Sequence, residues 1–183
     1  SFYLFVSMDS DQILCATLIT IDQVRINNLP SIADVNKLIN LLKSAQVKVE
    51  RVNKHEYTFQ ADEIDLDYFE TEAYRQQAGR LRGSVMLMGP MLARFGKAHL
   101  PQPGGDKIGR RRMDTHFIGF QKLGAAFSYD AKNRRYTVEG ASLTGKFVYM
   151  EEISVTGTAN MVMAAVLANG RTTIYNAACE PYL

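Results

Sequence analysis

The chain has 183 residues, 46% of them hydrophobic, and a formal net charge of +2. This composition excludes a disordered chain, and the small charge gives no reason to expect a nucleic-acid partner. No apolar run approaches the roughly 20 residues of a membrane-spanning helix, and the opening SFYLFVS lacks a basic leader and a cleavage site. Cys15 and Cys179 do not suggest a disulfide framework. We therefore expect a soluble, cytoplasmic protein with no membrane partner.

In chain order, three segments share a pattern of an apolar helix, a break and a short strand. The predicted helices are QILCATLIT, GSVMLMGPMLARFG and GTANMVMAAVLANG, and the strands are VRINN, KAHLP and RTTIYN. Their matching positions lie 74 residues apart, namely Leu14, Met88 and Val162, then Leu18, Leu92 and Val166, then Ile26, Leu100 and Ile174. Helices that are apolar on every side are normally buried. Gly96 and Gly170 are predicted to end the second and third helices.

After each of the first two strands an amphipathic helix and a hairpin are predicted. The helix VNKLINLLKSAQ has one apolar face of Val35, Leu38, Ile39, Leu42 and Ala45, and MDTHFIGFQKLG has one of Met113, Phe117, Phe120 and Leu123. The hairpins pair VKVERV with EYTFQA, and AFSYDA with RRYTVEG. The sequence thus predicts an α/β (α+β) fold with units at about 12–80, 81–150 and a truncated 151–183. We expect the chain to stop inside its third repeat, as part of a longer polypeptide.

The connection QPGGDKIGRRRMDTH is roughly four residues longer than its counterpart in the first unit. Its glycines permit backbone conformations closed to other residues, and arginine suits a bidentate grip on phosphate or carboxylate. The helix beginning near Asp114 adds its free N–H groups. These features favour an anion-binding loop over a solvated basic loop, although the string matches no known phosphate-binding motif.

Asp106 in this loop has two interpretations. It is either a turn residue paired with a neighbouring cation or a general acid, whose raised pKa would need burial against the opposing effect of the arginines. His116 is more typical of a packed or surface histidine than of a metal ligand, and no metal is expected. Ser154 either caps its helix or binds a ligand phosphate. Arg82, at the head of an apolar helix, must face a pocket, a partner or solvent.

Three strings carry a family resemblance: RGSVMLMGPMLARFGKA, PGGDKIGRRRMDTHFIGFQKLGA and SVTGTANMVMAAVLANGRTTIYNAACEP. They resemble the UDP-N-acetylglucosamine enolpyruvyl transferases, relatives of the shikimate-pathway enolpyruvyl transferase. The resemblance implies a two-domain enzyme with three repeat units in each domain and ligands in the cleft between. The implied reaction moves the enolpyruvyl group of phosphoenolpyruvate to the 3-hydroxyl of UDP-N-acetylglucosamine and releases phosphate. This is the first committed step of peptidoglycan synthesis, serving cell-wall biogenesis, cell shape and division, and no cofactor is implied.

The resemblance also assigns roles to individual positions. Asp106 stands where many members have the cysteine that protonates the methylene carbon and is alkylated by fosfomycin, so fosfomycin resistance is predicted. Arg82 and Arg111 match phosphoenolpyruvate-binding arginines. The matches to the nucleotide-sugar-binding segments are Arg111, Arg112, Met113, Asp114, Thr115, Ser154 and Val155.

Some positions depart from the family pattern. Arg112 replaces a frequent proline, and Glu152 stands where several members have a lysine, whose positive charge would suit a diphosphate. Ser7 and Met8 stand at a Lys-Asn pair whose lysine binds phosphoenolpyruvate. Because further catalytic groups belong to the family's other domain, we expect the chain alone to be inert. Two alternatives are a non-catalytic nucleotide-sugar-binding remnant and an enzyme with another acceptor, such as shikimate 3-phosphate.

Overall fold

The computed structural model describes residues 2–5, 10–101 and 113–180. The helices are α1 (Ser10–Ala16), α2 (Ala33–Ser44), α3 (Glu72–Gly79), α4 (Met88–Phe95), α5 (Asp114–Lys122) and α6 (Val155–Ala165). The strands are β1 (Phe2–Phe5), β2 (Val24–Asn27), β3 (Lys48–Asn53), β4 (Glu56–Gln60), β5 (Lys97–Pro101), β6 (Ala126–Asp130), β7 (Arg135–Glu139), β8 (Phe147–Tyr149) and β9 (Thr173–Tyr175). Three 3₁₀ segments lie at Thr17–Ile19, Asp67–Glu70 and Arg82–Leu87. The predicted α/β class is confirmed.

The described strands form three separate sheets. Their orders are β1-β2-β4-β3, β5-β7-β6 and β8-β9. Strands β1 and β2 run parallel, as do β8 and β9, whereas the remaining pairs are antiparallel. Both predicted hairpins are therefore confirmed, and in each the returning strand, β4 or β7, lies at the centre beside β2 or β5.

The two predicted amphipathic helices bury the predicted faces. All five apolar residues of the α2 face are at most 4% exposed. On the α5 face Phe117, Phe120 and Leu123 are at most 6% exposed, and Met113 packs partly buried against the core. One hydrophobic core therefore lies between these helices and the sheets, as the period of 3.6 residues predicts.

The second apolar helix is not the continuous helix that the sequence suggested. A 3₁₀ segment occupies Arg82–Leu87, and the α-helix begins only at Met88. Pro90 explains this break, because proline has no N–H to donate and its ring would clash with the carbonyl of Met86 in a continuous α-helix. Gly96 ends α4 with a φ of 71°, as predicted.

The third apolar helix also differs from prediction. It ends at Ala165, so Gly170, with a φ of 93°, lies five residues beyond it and just ahead of β9. The prediction that this segment is buried on every side is wrong, since Val162 is 45% and Val166 61% exposed. Helices α4 and α5 pack against α6, and within the helix itself Val162 is the exposed residue.

Helix α3 was not predicted and occupies the side of β5 that corresponds to the β1 side of β2. The Tyr74 hydroxyl donates a 2.8 Å hydrogen bond to the backbone carbonyl of His99 in β5. Tyr74 is fully buried, and its ring contacts the rings of Tyr68 and Phe69 at centroid distances of 5.8 and 5.1 Å. In the first sheet this edge of β2 pairs with the parallel strand β1. In the second sheet the edge of β5 instead accepts a hydrogen bond from the Tyr74 side chain of α3.

The positions spaced by 74 residues fall in comparable elements. Ile26, Leu100 and Ile174 lie in β2, β5 and β9. The first two units share an element order of helix, strand, helix, strand, strand, whereas the described part of the third ends after β9. The threefold repeat and its boundaries stay predictions.

The two cysteines lie in contrasting environments. Cys15 is fully buried in the core, and burial, with a smaller effect from the charge of Asp11, raises the pKa of its thiol. Cys179 is exposed, and both thiols are free. None of the helices described here combines the length and apolar character required to cross a membrane.

Candidate functional site

The predicted ligand-binding residues that the structure describes lie at the starts of helical segments. Arg82 is the exposed first residue of its 3₁₀ segment. Met113 directly precedes α5, whose first two residues are Asp114 and Thr115. Ser154 and Val155 hold the corresponding positions in α6. The other candidates, Asp106, Arg111 and Arg112, lie outside the described residues.

Ser154 caps α6. Its hydroxyl oxygen accepts a 3.1 Å hydrogen bond from the N–H of Gly157, one of the free donors at a helix start. The capping interpretation is therefore confirmed. Asp114, exposed in the first turn of α5, places a carboxylate where the helix dipole favours negative charge.

The start of α5 lies beside the segment that leads into α6. A small depression is lined by Thr115, Ile118, Gly119, Tyr149, Met150 and Glu151. The ammonium of Lys122, at the other end of α5, donates to the carbonyl of Tyr149 at 3.1 Å. Among the predicted binding residues that the structure describes, Thr115 lines this depression, and the helices α5 and α6 pack against each other.

The Arg82 segment packs against the start of α1. A Cβ added at Gly83 would collide with the side chain of Asp11. The Ser84 hydroxyl lies 2.7 Å from the carbonyl oxygen of Leu81 and 2.9 Å from that of Ala78, so it anchors this segment to the end of α3. These contacts fix the backbone that carries Arg82.

A buried amide joins these helical segments. Asn160, fully buried in α6, donates 2.9 Å to the carbonyl of Val85 and accepts 2.9 Å from the N–H of Gly89. Its Nδ2 is also 3.0 Å from Nδ1 of His116 in α5. One carboxamide therefore contacts the 3₁₀ segment, α4 and α5, and we call these four residues the Asn160 junction.

His116 is a neutral member of this junction. It is 4% exposed, and burial lowers its pKa to about 4. Because an amide nitrogen can only donate, Nδ1 is the acceptor, which assigns the proton of the neutral ring to Nε2. The interpretation of His116 as a packed histidine is confirmed.

Gly89 allows the close approach of α4 and α6. A Cβ at this position would lie 2.6 Å from the backbone oxygen of Asn160 and 2.8 Å from its Oδ1. Only a glycine brings its N–H to the buried amide without moving one of the helices.

A family model described as EPSP synthase (3-phosphoshikimate 1-carboxyvinyltransferase) matches residues 7–183. The chain belongs to the EPSP synthase family. The UDP-N-acetylglucosamine 1-carboxyvinyltransferase of Bacteroides fragilis is 56% identical to it over 172 residues, and that of Porphyromonas gingivalis is 53% identical over the same length. Each alignment covers 94% of the chain and 40% of the relative, so the chain spans about 40% of the length of these relatives. The resemblance seen in the sequence is confirmed.

Two solved structures share this EPSP synthase family fold. The enolpyruvyl transferase NikO from Streptomyces tendae has a TM-score of 0.73 at 17% identity, over 95% of this chain and 40% of its own. An EPSP synthase from Acinetobacter baumannii has a TM-score of 0.68 at 13% identity, over 99% of this chain and 42% of its own. At such identities the likeness concerns the fold alone.

The hydrogen bonds of Asn160 to three other segments were not predicted from the sequence. The available signal was a single amide within the apolar string GTANMVMAAV. A buried amide requires partners, but those partners lie 71, 75 and 44 residues away along the chain. Their identity depends on how the helices pack, which the local pattern does not contain.

Proposed function

We propose that the protein containing this sequence transfers the enolpyruvyl group of phosphoenolpyruvate to the 3-hydroxyl of UDP-N-acetylglucosamine and releases phosphate. The observation that carries the proposal is 53 to 56% identity, over 94% of the chain, to proteins named UDP-N-acetylglucosamine 1-carboxyvinyltransferase. The structure adds support, because the predicted binding segments at 113–115 and 154–155 lie at the starts of α5 and α6, two helices that pack against each other. No cofactor is required by this reaction.

In this proposal the cations bind the anionic substrates. Arg82 and Arg111 contact phosphoenolpyruvate, since a guanidinium pairs bidentately with phosphate and carboxylate. The nucleotide sugar is held by residues Arg111, Arg112, Met113, Asp114, Thr115, Ser154 and Val155. The start of α6 supplies N–H donors to its diphosphate, although the Ser154 hydroxyl already bonds Gly157.

Asp106 is the proposed general acid that protonates the methylene carbon of phosphoenolpyruvate. A carboxylic acid performs this step only while it holds a proton near neutral pH, so its pKa must be raised in the closed complex. Exclusion of water by the glycine-rich loop is the proposed cause. The neighbouring arginines act against it, and the bound anions offset their charge.

The test is phosphate release from phosphoenolpyruvate by the complete protein, with and without UDP-N-acetylglucosamine. We expect release only in the presence of the nucleotide sugar. Calorimetric titration with UDP-N-acetylglucosamine and with shikimate 3-phosphate distinguishes the acceptors. Binding of the nucleotide sugar without phosphate release would instead favour a non-catalytic remnant, a reading motivated by Ser7 and Met8 at the expected Lys-Asn pair.

Fosfomycin resistance follows from the proposed role of Asp106. A carboxylate is a far poorer nucleophile towards an epoxide than a thiolate. The complete protein should therefore keep its activity after prolonged incubation with fosfomycin. Irreversible, time-dependent inactivation by the drug would contradict the assignment.

The proposal extends to the cellular setting and the domain arrangement. The reaction would be the first committed step of peptidoglycan synthesis, in the cytoplasm, and would serve cell-wall biogenesis, cell shape and division. Residues 1–183 would form most of one domain, with units at about 12–80, 81–150 and 151–183. A second domain of the same polypeptide would close the cleft and supply the group that deprotonates the sugar hydroxyl, so the chain alone would be inert.

A further inference from the structure

We propose that Asn160 is a positioning residue, whose carboxamide holds the helix starts that carry Arg82, residues 113–115 and residues 154–155 in one fixed arrangement. The proposal rests on the proposed function for its catalytic consequence. Its structural basis is the Asn160 junction itself, in which one fully buried side chain bonds the 3₁₀ segment, α4 and α5 from within α6.

The junction lies close to each candidate binding segment along the chain. Val85 follows Arg82 by three residues in the same 3₁₀ segment. His116 directly follows Thr115 in the first turn of α5. Asn160 itself is six residues beyond Ser154, which is roughly 9 Å along a helix. A change at Asn160 therefore reaches all three segments within two helical turns.

The hydrogen-bonding capacity of a carboxamide matches this junction. An amide has two N–H donors and one acceptor oxygen. Here both donors are used, towards Val85 and His116, while the oxygen accepts from Gly89. An aspartate has no donors and a leucine has neither function, so only an amide of this shape bonds all three partners at once.

The loss of this arrangement affects ligand binding through geometry. Arg82, the α5 start and the α6 start belong to three different segments, and one ligand can contact all three only if their separations are correct. A displacement of about 1 Å costs on the order of 100-fold in rate when reacting groups must be aligned. Asn160 touches no substrate in this account, and it acts through the segments it joins.

The experiment compares Asn160→Asp with Tyr74→Phe in the complete protein. Tyr74→Phe also removes one buried hydrogen bond, to the carbonyl of His99, but at the edge of β5. We expect Asn160→Asp to lower kcat/KM for the nucleotide sugar by about 100-fold, and Tyr74→Phe to leave it within about twofold. The proposal would be overturned if the two variants lost equal stability and both changed kcat/KM only slightly.

A second pair of variants covers the case in which Asn160→Asp does not fold. His116→Phe removes the acceptor for Asn160, whereas His116→Gln retains a side-chain oxygen that can accept the same hydrogen bond. We expect the first to weaken nucleotide-sugar binding about tenfold or more and the second to restore most of the affinity. Identical affinities for the two variants would contradict a positioning role.

A readout that needs no activity separates this inference from the proposed function. Amide hydrogen exchange at residues 113–118 and 154–159 is expected to accelerate in Asn160→Asp and to remain unchanged in Tyr74→Phe. Unchanged exchange at both helix starts in Asn160→Asp would overturn the positioning role, whatever the activity. Failure of the unmodified complete protein to bind the nucleotide sugar would instead count against the proposed function, while the exchange measurement still decides the role of Asn160.

Discussion

The first unit, from α1 to β4, and the second, from the 3₁₀ segment Arg82–Leu87 to β7, share a strand order and differ in their connections. Five residues, 28–32, join β2 to α2, whereas twelve, 102–113, join β5 to α5. Aligned on the helix ends Ala45 and Leu123, the offset is 78 rather than 74. Four residues are therefore inserted, as predicted. The other three extra residues of this connection arise because α5 begins three residues, almost one turn, later than α2 in this alignment.

The helices α2 and α5 also differ on their buried faces. In the same alignment, fully buried Leu38 corresponds to His116, which bonds Asn160. The first unit thus has an apolar helix packing where the second has a hydrogen-bonded junction. Polar groups in the core specify orientation because each needs its partner. The comparison indicates a shared apolar framework, with the second unit modified at the loop and helix starts proposed to bind substrates.

The largest expected effect tests the longer connection. In the complete protein, Asp106→Asn should lower turnover by at least about 100-fold, since general acid catalysis contributes about 10² to 10⁴. Asp106→Cys should retain activity and become sensitive to fosfomycin. A steady-state phosphate-release assay measures both.

The control for Asp106 lies in the shorter connection. Ser31→Ala changes an exposed residue between β2 and α2 and should leave turnover within about twofold. Near-normal turnover by Asp106→Asn would remove the acid assignment and, with it, the functional contrast between the two connections.

The next prediction concerns His116, which occupies the position of the apolar Leu38 in the first unit. The folded pKa of His116 is about 4, below an unfolded value of about 6.5, so between these pH values only the unfolded chain binds a proton at this ring. The ionisation of His116 therefore leaves the free energy of unfolding unchanged above about pH 6.5. Below that pH it lowers the free energy of unfolding, by about 3 kcal/mol towards pH 4. Urea unfolding at pH 7 and pH 5 measures the loss, and His116→Gln should reduce it. An unchanged pH dependence in His116→Gln would show that another group dominates.

A smaller effect is expected where α4 meets α6. Gly89→Ala places a methyl 2.6 Å from the Asn160 backbone oxygen, so the helices must separate, at about 1 to 3 kcal/mol of stability. Its counterpart 74 residues earlier is Cys15, where Cys15→Ala should cost about 1 kcal/mol for the lost buried volume. Denaturant unfolding ranks the two, and a greater loss for Cys15→Ala would contradict close packing at Gly89.

The smallest effect concerns the edge of β5. Tyr74→Phe should cost about 1 kcal/mol, the usual net contribution of one buried hydrogen bond. Tyr129→Phe, at a residue that is 45% exposed, should leave the free energy of unfolding nearly unchanged. Equal losses in chemical denaturation would mean that the hydroxyl of Tyr74 adds nothing to this edge.

Much of the framework was predictable because burial recurs with the period of each element. The α2 face and both hairpins follow from that period. Helix α3 was missed because its sequence EAYRQQAG is mostly polar, with only Tyr74 and Ala78 buried. The break before α4 was readable from Pro90 but was overlooked within an apolar string.

The candidate site was predictable in a different way. Asp106 and the arginines owe their roles to family resemblance, since composition alone favours a turn residue at Asp106, and their roles stay predictions. Met113, Asp114 and Thr115 do lie at the start of a helix, as expected. The Asn160 junction was beyond sequence reasoning, because its hydrogen bonds span 44 to 75 residues of chain.

The contrast between the two cysteines provides a built-in measure of unfolding. A maleimide reagent reacts with the thiolate of an accessible cysteine, so it should modify Cys179 in the native chain and leave Cys15 protected. Modification of Cys15 requires the core around α1 to open. The mass of the labelled chain, one adduct or two, then distinguishes molecules that stayed native from molecules that opened, without an introduced cysteine.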